Sequence, residues 1–249
     1  MNGPPIRAVL FDYGDTLATH TRPAEALHRA YTRIAATLPA SEDGRPWDPD
    51  ELLVVIHDLV EDRLAAANAA GGLEEVDIEA IHRDAYAELG LALDPKQIDE
   101  AMRLEQEAWW QGVHVGPGVV QTLSTLRREG LRLGICSNAA YRPASMRAQL
   151  EYVGLLELVD GAVFSSEVGW RKPAPQIFTA ALDALDAQPS TTVMVGDSVS
   201  ADIDGAHAAG MRAIRLREHR DDPDTDHHAD AVLDRLSDLP ALLAGRFSR

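Results

Sequence analysis

Short runs of apolar residues, each followed by glycine or polar residues, recur along this chain and predict buried strands. The first run is Ile6–Phe11, which ends shortly before Gly14. After Gly116, such runs alternate with segments in which apolar residues recur at helical spacing. Strands and helices that alternate at this length are typical of a parallel sheet covered by helices on both faces. The predicted strands there are 131–136, 162–164 and 192–195, the predicted edge strands are 213–216 and 231–233, and the predicted helices are 117–128, 142–152, 173–185 and 201–209.

Residues from about 24 to 110 differ from the rest of the chain, because they show helical spacing and contain no convincing strand. Within 52–64, apolar residues recur three and four positions apart, and Asp50 is expected to cap that helix. Another helix is expected to begin near Asp94. This block therefore predicts an all-helical insertion.

The fold class that these patterns predict is α/β. We expect a core with a Rossmann-like parallel sheet and helices on both faces, formed by residues 1–18 and 113–249. We expect residues 19–112 to form an all-helical domain inserted after the first strand.

The composition excludes several classes of partner. Among 249 residues, 40 are acidic and 23 are basic, which gives a formal net charge of -17. This sign disfavours nucleic acid and anionic membranes, and no apolar run approaches the roughly 18–20 residues of a membrane helix. The first residues show no secretory signal, and the single cysteine, Cys136, is typical of the reducing cytoplasm. We expect a cytoplasmic protein, monomeric or homodimeric, with a mobile polar loop at 221–228.

Polar residues stand where three of the predicted strands end. Asp12 follows the first strand, Ser137 and Asn138 end the second long strand, and Asp197 lies just beyond a later one. In an open α/β sheet, ligands bind at the carboxyl ends of the strands. The chemistry of this protein is therefore expected at that edge of the sheet.

Asp12 and Lys172 each allow a structural and a catalytic interpretation. A carboxylate directly after an apolar strand either caps a turn or attacks phosphorus as a nucleophile. Such an attack brings two anions together and requires positive charge nearby. Lys172 is either a solvated surface lysine or the source of that charge, since Pro173 and Pro175 fix its loop.

The remaining polar residues also allow two interpretations. Asp197 and Asp202 either form a turn with a helix cap, or join Asp12 in a carboxylate cluster that needs a cation to neutralise it. Oxygen ligands suit Mg²⁺ better than Zn²⁺, and the sequence has no Cys/His cluster of the zinc type. Ser137 and Asn138 either end a strand in a turn or bind phosphoryl oxygens through the hydroxyl and nearby N–H groups.

Taken together, these motifs resemble those of the haloacid dehalogenase-like (HAD) superfamily of hydrolases. The similarity runs from about Ile6 to Leu216 and is most specific at Val9–Asp12 and Val195–Ala206. The resemblance implies a Mg²⁺-dependent phosphatase that acts on a small phosphorylated metabolite through an aspartyl-phosphate intermediate. The helical insertion resembles the family's cap domain, which closes over the site and selects the substrate.

The resemblance also implies a role for each site residue. Asp12 is expected to be the nucleophile, and Ser137 and Lys172 are expected to bind the phosphoryl group. The expected metal ligands are Asp12, the backbone carbonyl of Gly14 and Asp197. Asp202 is expected to support these ligands without contacting the metal itself.

One position departs from the family pattern. Most phosphatases of this family carry an aspartate two residues after the nucleophile, as general acid and then base, and this chain has Gly14 there. Asp15 follows, but alternate side chains of an extended segment point to opposite sides, so Asp15 is expected to point away from Asp12 unless the loop bulges. Losing the proton shuttle predicts slow hydrolysis of alkyl phosphates, whose leaving groups need a proton. Alternatively, Asp15 or His20 supplies that proton.

Two other functions are compatible with these motifs. A non-catalytic protein that binds a phosphate ligand, or regulates through it, would keep the fold without turnover, and Gly14 favours this alternative. A haloacid dehalogenase would use Asp12 to attack carbon. Asp197 disfavours the dehalogenase, because that chemistry needs no metal.

Overall fold

The computed structural model describes residues 4–41, 44–219 and 229–246. The polar loop predicted at 221–228 lies outside this part of the chain. The described residues form two compact units. The sheet unit contains the residues up to His20, the segment Leu73–Glu75 and the residues from His114 onward, and the helical unit contains Thr21–Gly72 and Val76–Val113.

A six-stranded sheet forms the centre of the sheet unit. The strands of the described residues are β1 (Ala8–Phe11), β2 (Ala18–His20), β3 (Val113–Val115), β4 (Arg132–Ser137), β5 (Gly161–Phe164), β6 (Thr192–Gly196), β7 (Arg212–Leu216) and β8 (Ala231–Leu233). The order across the sheet is β5-β4-β1-β6-β7-β8, and neighbouring strands are parallel. This arrangement confirms the predicted fold class. β2 and β3 form a separate pair, which was not predicted because three-residue strands are too short to show an alternating pattern.

The central strand is β1, which lies between β4 and β6. Leu10 is aligned with Gly134 of β4 and with Met194 of β6. A Cβ atom on Gly134 would lie 2.9 Å from the Leu10 side chain, so glycine leaves the space that Leu10 fills. All four residues of β1 are buried, as expected for a parallel strand that is covered on both faces. The unbroken apolar run at the start of the chain follows from this burial.

The prediction that 213–216 forms an edge strand is wrong. β8 pairs with the outer side of β7, so that Ile214 lies opposite Ala231 and Leu216 opposite Leu233. β7 is therefore an interior strand, and its apolar residues are buried on both faces. The edges of the sheet are β5 and β8.

Helices cover the sheet. Apolar residues of α8, among them Phe178 and Leu182, pack in one buried cluster with Leu10 and Met194. α8 begins at Pro175 rather than at Pro173, and proline is favoured at a first helical position. In the described residues the α-helices are α1 (Ala24–Thr37), α2 (Pro49–Ala69), α3 (Ile78–Glu88), α4 (Pro95–Trp110), α5 (Val119–Arg128), α6 (Pro143–Tyr152), α7 (Ser165–Val168), α8 (Pro175–Ala184), α9 (Gly205–Ala208) and α10 (Leu239–Arg246).

The helix predicted at 201–209 has a different form. A wider π-helical turn, Val199–Asp204, precedes the short α9. The N–H of Ile203 donates to the Ser198 carbonyl at 3.3 Å, and the Ser198 hydroxyl accepts from the N–H of Ala201 at 3.3 Å. Such turns are rare and often occur at functional sites.

The helical unit contains α1 to α4. Asp48, not Asp50, caps α2, because its Oδ1 accepts from the backbone N–H of Asp50 at 3.0 Å. Pro49 then occupies the first helical position, where its missing N–H is tolerated. α4 begins as predicted, since Asp94 Oδ1 accepts from the N–H of Gln97 at 2.9 Å. Among the residues that the structure describes, no helix combines the length and apolar character needed to span a membrane.

A buried carboxylate, Glu105 of α4, lies between two histidines from other helices of this unit. His57 Nδ1 of α2 lies 3.7 Å from Glu105 Oε1, and His82 Nε2 of α3 lies 3.5 Å from Glu105 Oε2. Burial raises the pKa of Glu105, but the histidines outweigh this effect and hold the pKa at about 2. Glu105 in turn raises the pKa of His57. Burial raises the pKa of the Tyr31 hydroxyl of α1, and the nearby charge of Glu105 raises it further. The cluster therefore contains one polar side chain from each of the four helices α1 to α4.

We expect Glu105→Gln to lower the free energy of unfolding by about 1–3 kcal/mol at pH 6, because buried His82 and partly buried His57 lose a charged partner. The folded pKa of His57 is raised, so its contribution is complete below its unfolded pKa of about 6.5 and is lost as pH rises through the folded value. The difference between wild type and variant should therefore shrink from about pH 6 to pH 9.

Denaturant unfolding at both pH values measures this difference. Glu107→Gln on the same helix is the control, because the Glu107 side chain is partly exposed and surface ion pairs contribute little. A difference for Glu105→Gln that grows with pH would contradict the assignment.

Candidate active site

The carboxyl ends of β1, β4 and β6 carry three of the predicted site residues. Asp12 follows β1, Ser137 ends β4 and Asp197 follows β6. The N–H of Asp12 donates to the Val195 carbonyl at 2.9 Å, so β1 and β6 remain paired up to the site. Asp12, Ser137 and Asp197 are 8%, 5% and 6% exposed. The strand order thus brings residues from distant parts of the sequence to one buried edge.

Three aspartates form a buried cluster at this edge. One carboxylate oxygen each from Asp12, Asp197 and Asp202 lies within 4.8 Å of the others. Within the described part of the chain, this is the only group of three or more metal-ligating side chains that are this close. Buried like charges at such distances repel one another, so the cluster requires positive charge.

Lys172 supplies one positive charge. Its Nζ donates to Asp12 Oδ1 at 2.5 Å and to Asp202 Oδ1 at 2.6 Å. Burial lowers the pKa of the Lys172 ammonium, but the two carboxylates more than offset this effect and raise the pKa overall. The side chain therefore stays protonated near neutral pH and balances part of the negative charge.

The position of Asp202 depends on the π-helical turn and on Gly196. The N–H of Ser198 donates to Asp202 Oδ2 at 3.0 Å, while Oδ1 accepts from Lys172. Burial raises the pKa of Asp202 to about 6, and Lys172 acts against that rise. A Cβ atom on Gly196 would lie 2.2 Å from Asp202 Oδ2, so this close approach requires glycine.

The Asn138 side chain joins the two loops that carry Ser137 and Lys172. Its Oδ1 accepts from the Lys172 N–H at 2.7 Å, and its Nδ2 donates to the Lys172 carbonyl at 3.2 Å. The sequence suggested phosphoryl binding for Asn138, and it gave no indication of these hydrogen bonds to the backbone of Lys172. Asn138 fixes the backbone of the lysine that reaches the aspartates.

The segment after β1 leaves both alternative acids outside the aspartate cluster. Asp15 is exposed and adopts the left-handed conformation, with φ at 56°. His20 is also exposed, and its ring meets the Tyr13 ring edge-on with 5.9 Å between centroids. Partial burial lowers the pKa of His20, against an opposite effect from Asp15. A Cβ atom on Gly14 would meet nothing within 4 Å, so a side chain has room there.

Comparison with known proteins identifies the family. The model of haloacid dehalogenase-like hydrolases matches residues 6–210. The chain belongs to this family of hydrolases, in agreement with the class that its motifs indicated.

Individual similar proteins include phosphatases and a dehalogenase. Ribulose-1,5-bisphosphate 5-phosphatase of Halopiger xanaduensis is 33% identical over 55% of this chain and 62% of its own length, so the match spans less than two thirds of that relative. Phosphoglycolate phosphatase of Rhodospirillum rubrum is 31% identical over 84% of this chain and 78% of its own length. The solved structure of a 2-haloacid dehalogenase from Pseudomonas syringae pv. Tomato DC3000 has a TM-score of 0.66 and 27% identity, covering 96% of this chain and 98% of that one.

Two glycine variants test the geometry around Asp202. We expect Gly196→Ala to lower the free energy of unfolding by about 1–3 kcal/mol, because its methyl group would collide with the Asp202 side chain. Gly14→Ala, where the methyl group meets nothing, should change it by less than about 0.5 kcal/mol. Denaturant unfolding measures both values, and equal effects would show that the approach of Asp202 to residue 196 is not tight.

Proposed function

We propose that this protein is a magnesium-dependent phosphatase that hydrolyses a small phosphorylated metabolite through a covalent aspartyl phosphate on Asp12. The observation that carries the proposal is the Lys172 ammonium, held between Asp12 and Asp202 inside a cluster of three buried carboxylates. The similarity to two proteins named as phosphatases of small phosphorylated compounds supports phosphate as the group that is attacked.

The donor set fits a hard divalent cation. Three carboxylates and one ammonium leave an excess of negative charge in the ionised cluster, and carboxylate and carbonyl oxygens are the ligands that Mg²⁺ prefers. Asp12, Asp197 and the Gly14 carbonyl would hold the ion, with Asp202 supporting them through Lys172. When bound, Mg²⁺ screens the carboxylate charge and polarises a phosphoryl oxygen.

The protein's own residues carry the chemical steps. In the first step, an oxygen of Asp12 bonds to phosphorus while the bond from phosphorus to the ester oxygen breaks. In the second step, water attacks the same phosphorus and releases inorganic phosphate and free Asp12. Lys172 orients the Asp12 carboxylate through Oδ1 and keeps positive charge beside the transferred group. Ser137 and nearby N–H groups bind the phosphoryl oxygens.

The leaving group decides the rate in this proposal. Gly14 offers no side chain to protonate an ester oxygen, and Asp15 and His20 lie outside the aspartate cluster. The aryloxide of an aryl phosphate and the carboxylate of an acyl phosphate are good leaving groups without a proton. These substrates should therefore react faster than alkyl phosphates.

Dehalogenation is the second candidate, because a 2-haloacid dehalogenase is among the similar structures. Asp12 would then attack carbon and displace halide without a metal ion. A third carboxylate at Asp197 would only add repulsion to such a site. Halide release from a haloacid without added magnesium would replace the phosphatase proposal.

A non-catalytic phosphate-binding role is the third candidate, and Gly14 favours it. Phosphate binding without hydrolysis of any compound in a broad panel of phosphate esters would support this alternative.

Replacing the nucleophile tests the first candidate. We expect Asp12→Asn to reduce magnesium-dependent hydrolysis of an aryl phosphate by at least about 10³-fold, because an amide cannot form the covalent intermediate. Chelation of magnesium in the wild type should have a comparable effect. Asp183→Asn, a change of the same kind at an exposed position of α8, is the control. Activity retained in Asp12→Asn would exclude the aspartyl-phosphate route.

Restoring the missing acid tests the role of Gly14. We expect Gly14→Asp to raise the rate on an alkyl phosphate by about 10²-fold, because the new side chain has room and can protonate the leaving group. Gly14→Asn has nearly the same shape but no transferable proton, and should give no gain. If Gly14→Asp gives no gain while Asp15→Ala or His20→Ala alters the pH–rate profile, one of these two residues is the acid instead.

A further inference from the structure

A short segment from between α2 and α3 belongs to the sheet unit and contacts the loop before Lys172. Residues 73–75 run antiparallel to residues 169–171, with a bridge between Glu74 and Trp170. The N–H of Glu75 donates to the Gly169 carbonyl at 3.0 Å, and the N–H of Arg171 donates to the Leu73 carbonyl at 2.7 Å. These bonds order the backbone immediately before Lys172.

The Glu75 side chain is linked to the other loop of the site through Ser165. Glu75 Oε2 accepts a hydrogen bond from the hydroxyl of Ser165, the first residue of α7. The same hydroxyl accepts from the N–H of Ala139 at 2.7 Å. Ser165 is fully buried, so water does not replace either partner. A continuous path of hydrogen bonds therefore runs from Glu75 to the residue after Asn138.

The loop that carries Lys172 and the loop that follows Ser137 are thus both linked to one three-residue segment, Leu73–Glu75. Its backbone holds 169–171, and its Glu75 carboxylate holds Ala139 through Ser165. The Asn138 side chain closes the arrangement by joining the two loops directly. A hydrogen bond to a carboxylate is stronger than one between neutral groups, so the Glu75 bond is well suited to fix the Ser165 hydroxyl.

We propose that Glu75 is a positioning residue, which acts through Ser165 to hold the loops of Ser137 and Lys172 at the spacing that a phosphoryl group requires. This inference rests on the proposed phosphatase function. Small displacements of binding groups reduce catalysis strongly, since about 1 Å can lower a rate by about 10²-fold. The inserted part of the chain therefore contributes to the framework of the site as well as forming its own helical unit.

The test compares substitutions within the segment. We expect Glu75→Ala and Ser165→Ala to lower kcat/KM for an aryl phosphate by at least about tenfold, mainly through a higher KM, because the phosphoryl-binding groups lose their spacing. Glu75→Gln, which keeps an acceptor oxygen, should recover part of the loss. Glu74→Ala removes the same charge from an exposed neighbour and should stay close to the wild type.

Amide hydrogen exchange separates this inference from the phosphatase proposal. Exchange at residues 137–141 and 169–172 should rise in Glu75→Ala and not in Glu74→Ala, whether or not the wild type hydrolyses phosphate esters. An inactive wild type with this exchange pattern would count against the phosphatase function alone. Equal exchange in the two variants, or an active Glu75→Ala enzyme with unchanged KM and kcat, would overturn the role of Glu75.

Discussion

The Lys172 ammonium is held between the carboxylates of Asp12 and Asp202, in a cluster that also contains Asp197, and the rest of the site depends on this contact. A buried charge is stable only with partners, so each carboxylate is held by its surroundings. For Asp202 these partners are Lys172 and the N–H of Ser198 in a π-helical turn. Under the proposed function, a bound cation would offset the charge of the three carboxylates, so that an anionic phosphoryl group could approach them.

In the helical unit, too, a buried carboxylate is held by basic partners, which here are histidines. Glu105 is buried beside His57 and His82, and it raises the pKa of His57. Lys172 keeps its proton because two carboxylates raise its pKa. A buried carboxylate is thus held by basic side chains in each unit, by Lys172 in the sheet unit and by two histidines in the helical unit.

The framework around the site explains how short loops hold a precise arrangement. Asn138 joins the loops of Ser137 and Lys172. The segment Leu73–Glu75 contacts the loop before Lys172 directly and is linked to the loop after Ser137 through Ser165. Because the ends of parallel strands fix only the start of each loop, such bonds between loops are needed to set the distances between the polar groups.

The sequence by itself determined the strands of the six-stranded sheet, the order of the motifs, the parallel α/β class and the family. It did so because a buried strand must be apolar at consecutive positions, and the motif residues follow such strands directly. The capping residue of α2, the interior place of β7 and the π-helical turn needed the tertiary structure, because several local solutions fit the same residues. Only the tertiary structure decided which distant groups meet, such as Glu75 with Ser165 and Lys172 with Asp12, which are 90 and 160 positions apart. Local sequence patterns indicate which residues are buried. They do not indicate which residues, far apart in the sequence, form hydrogen bonds with each other in the folded protein.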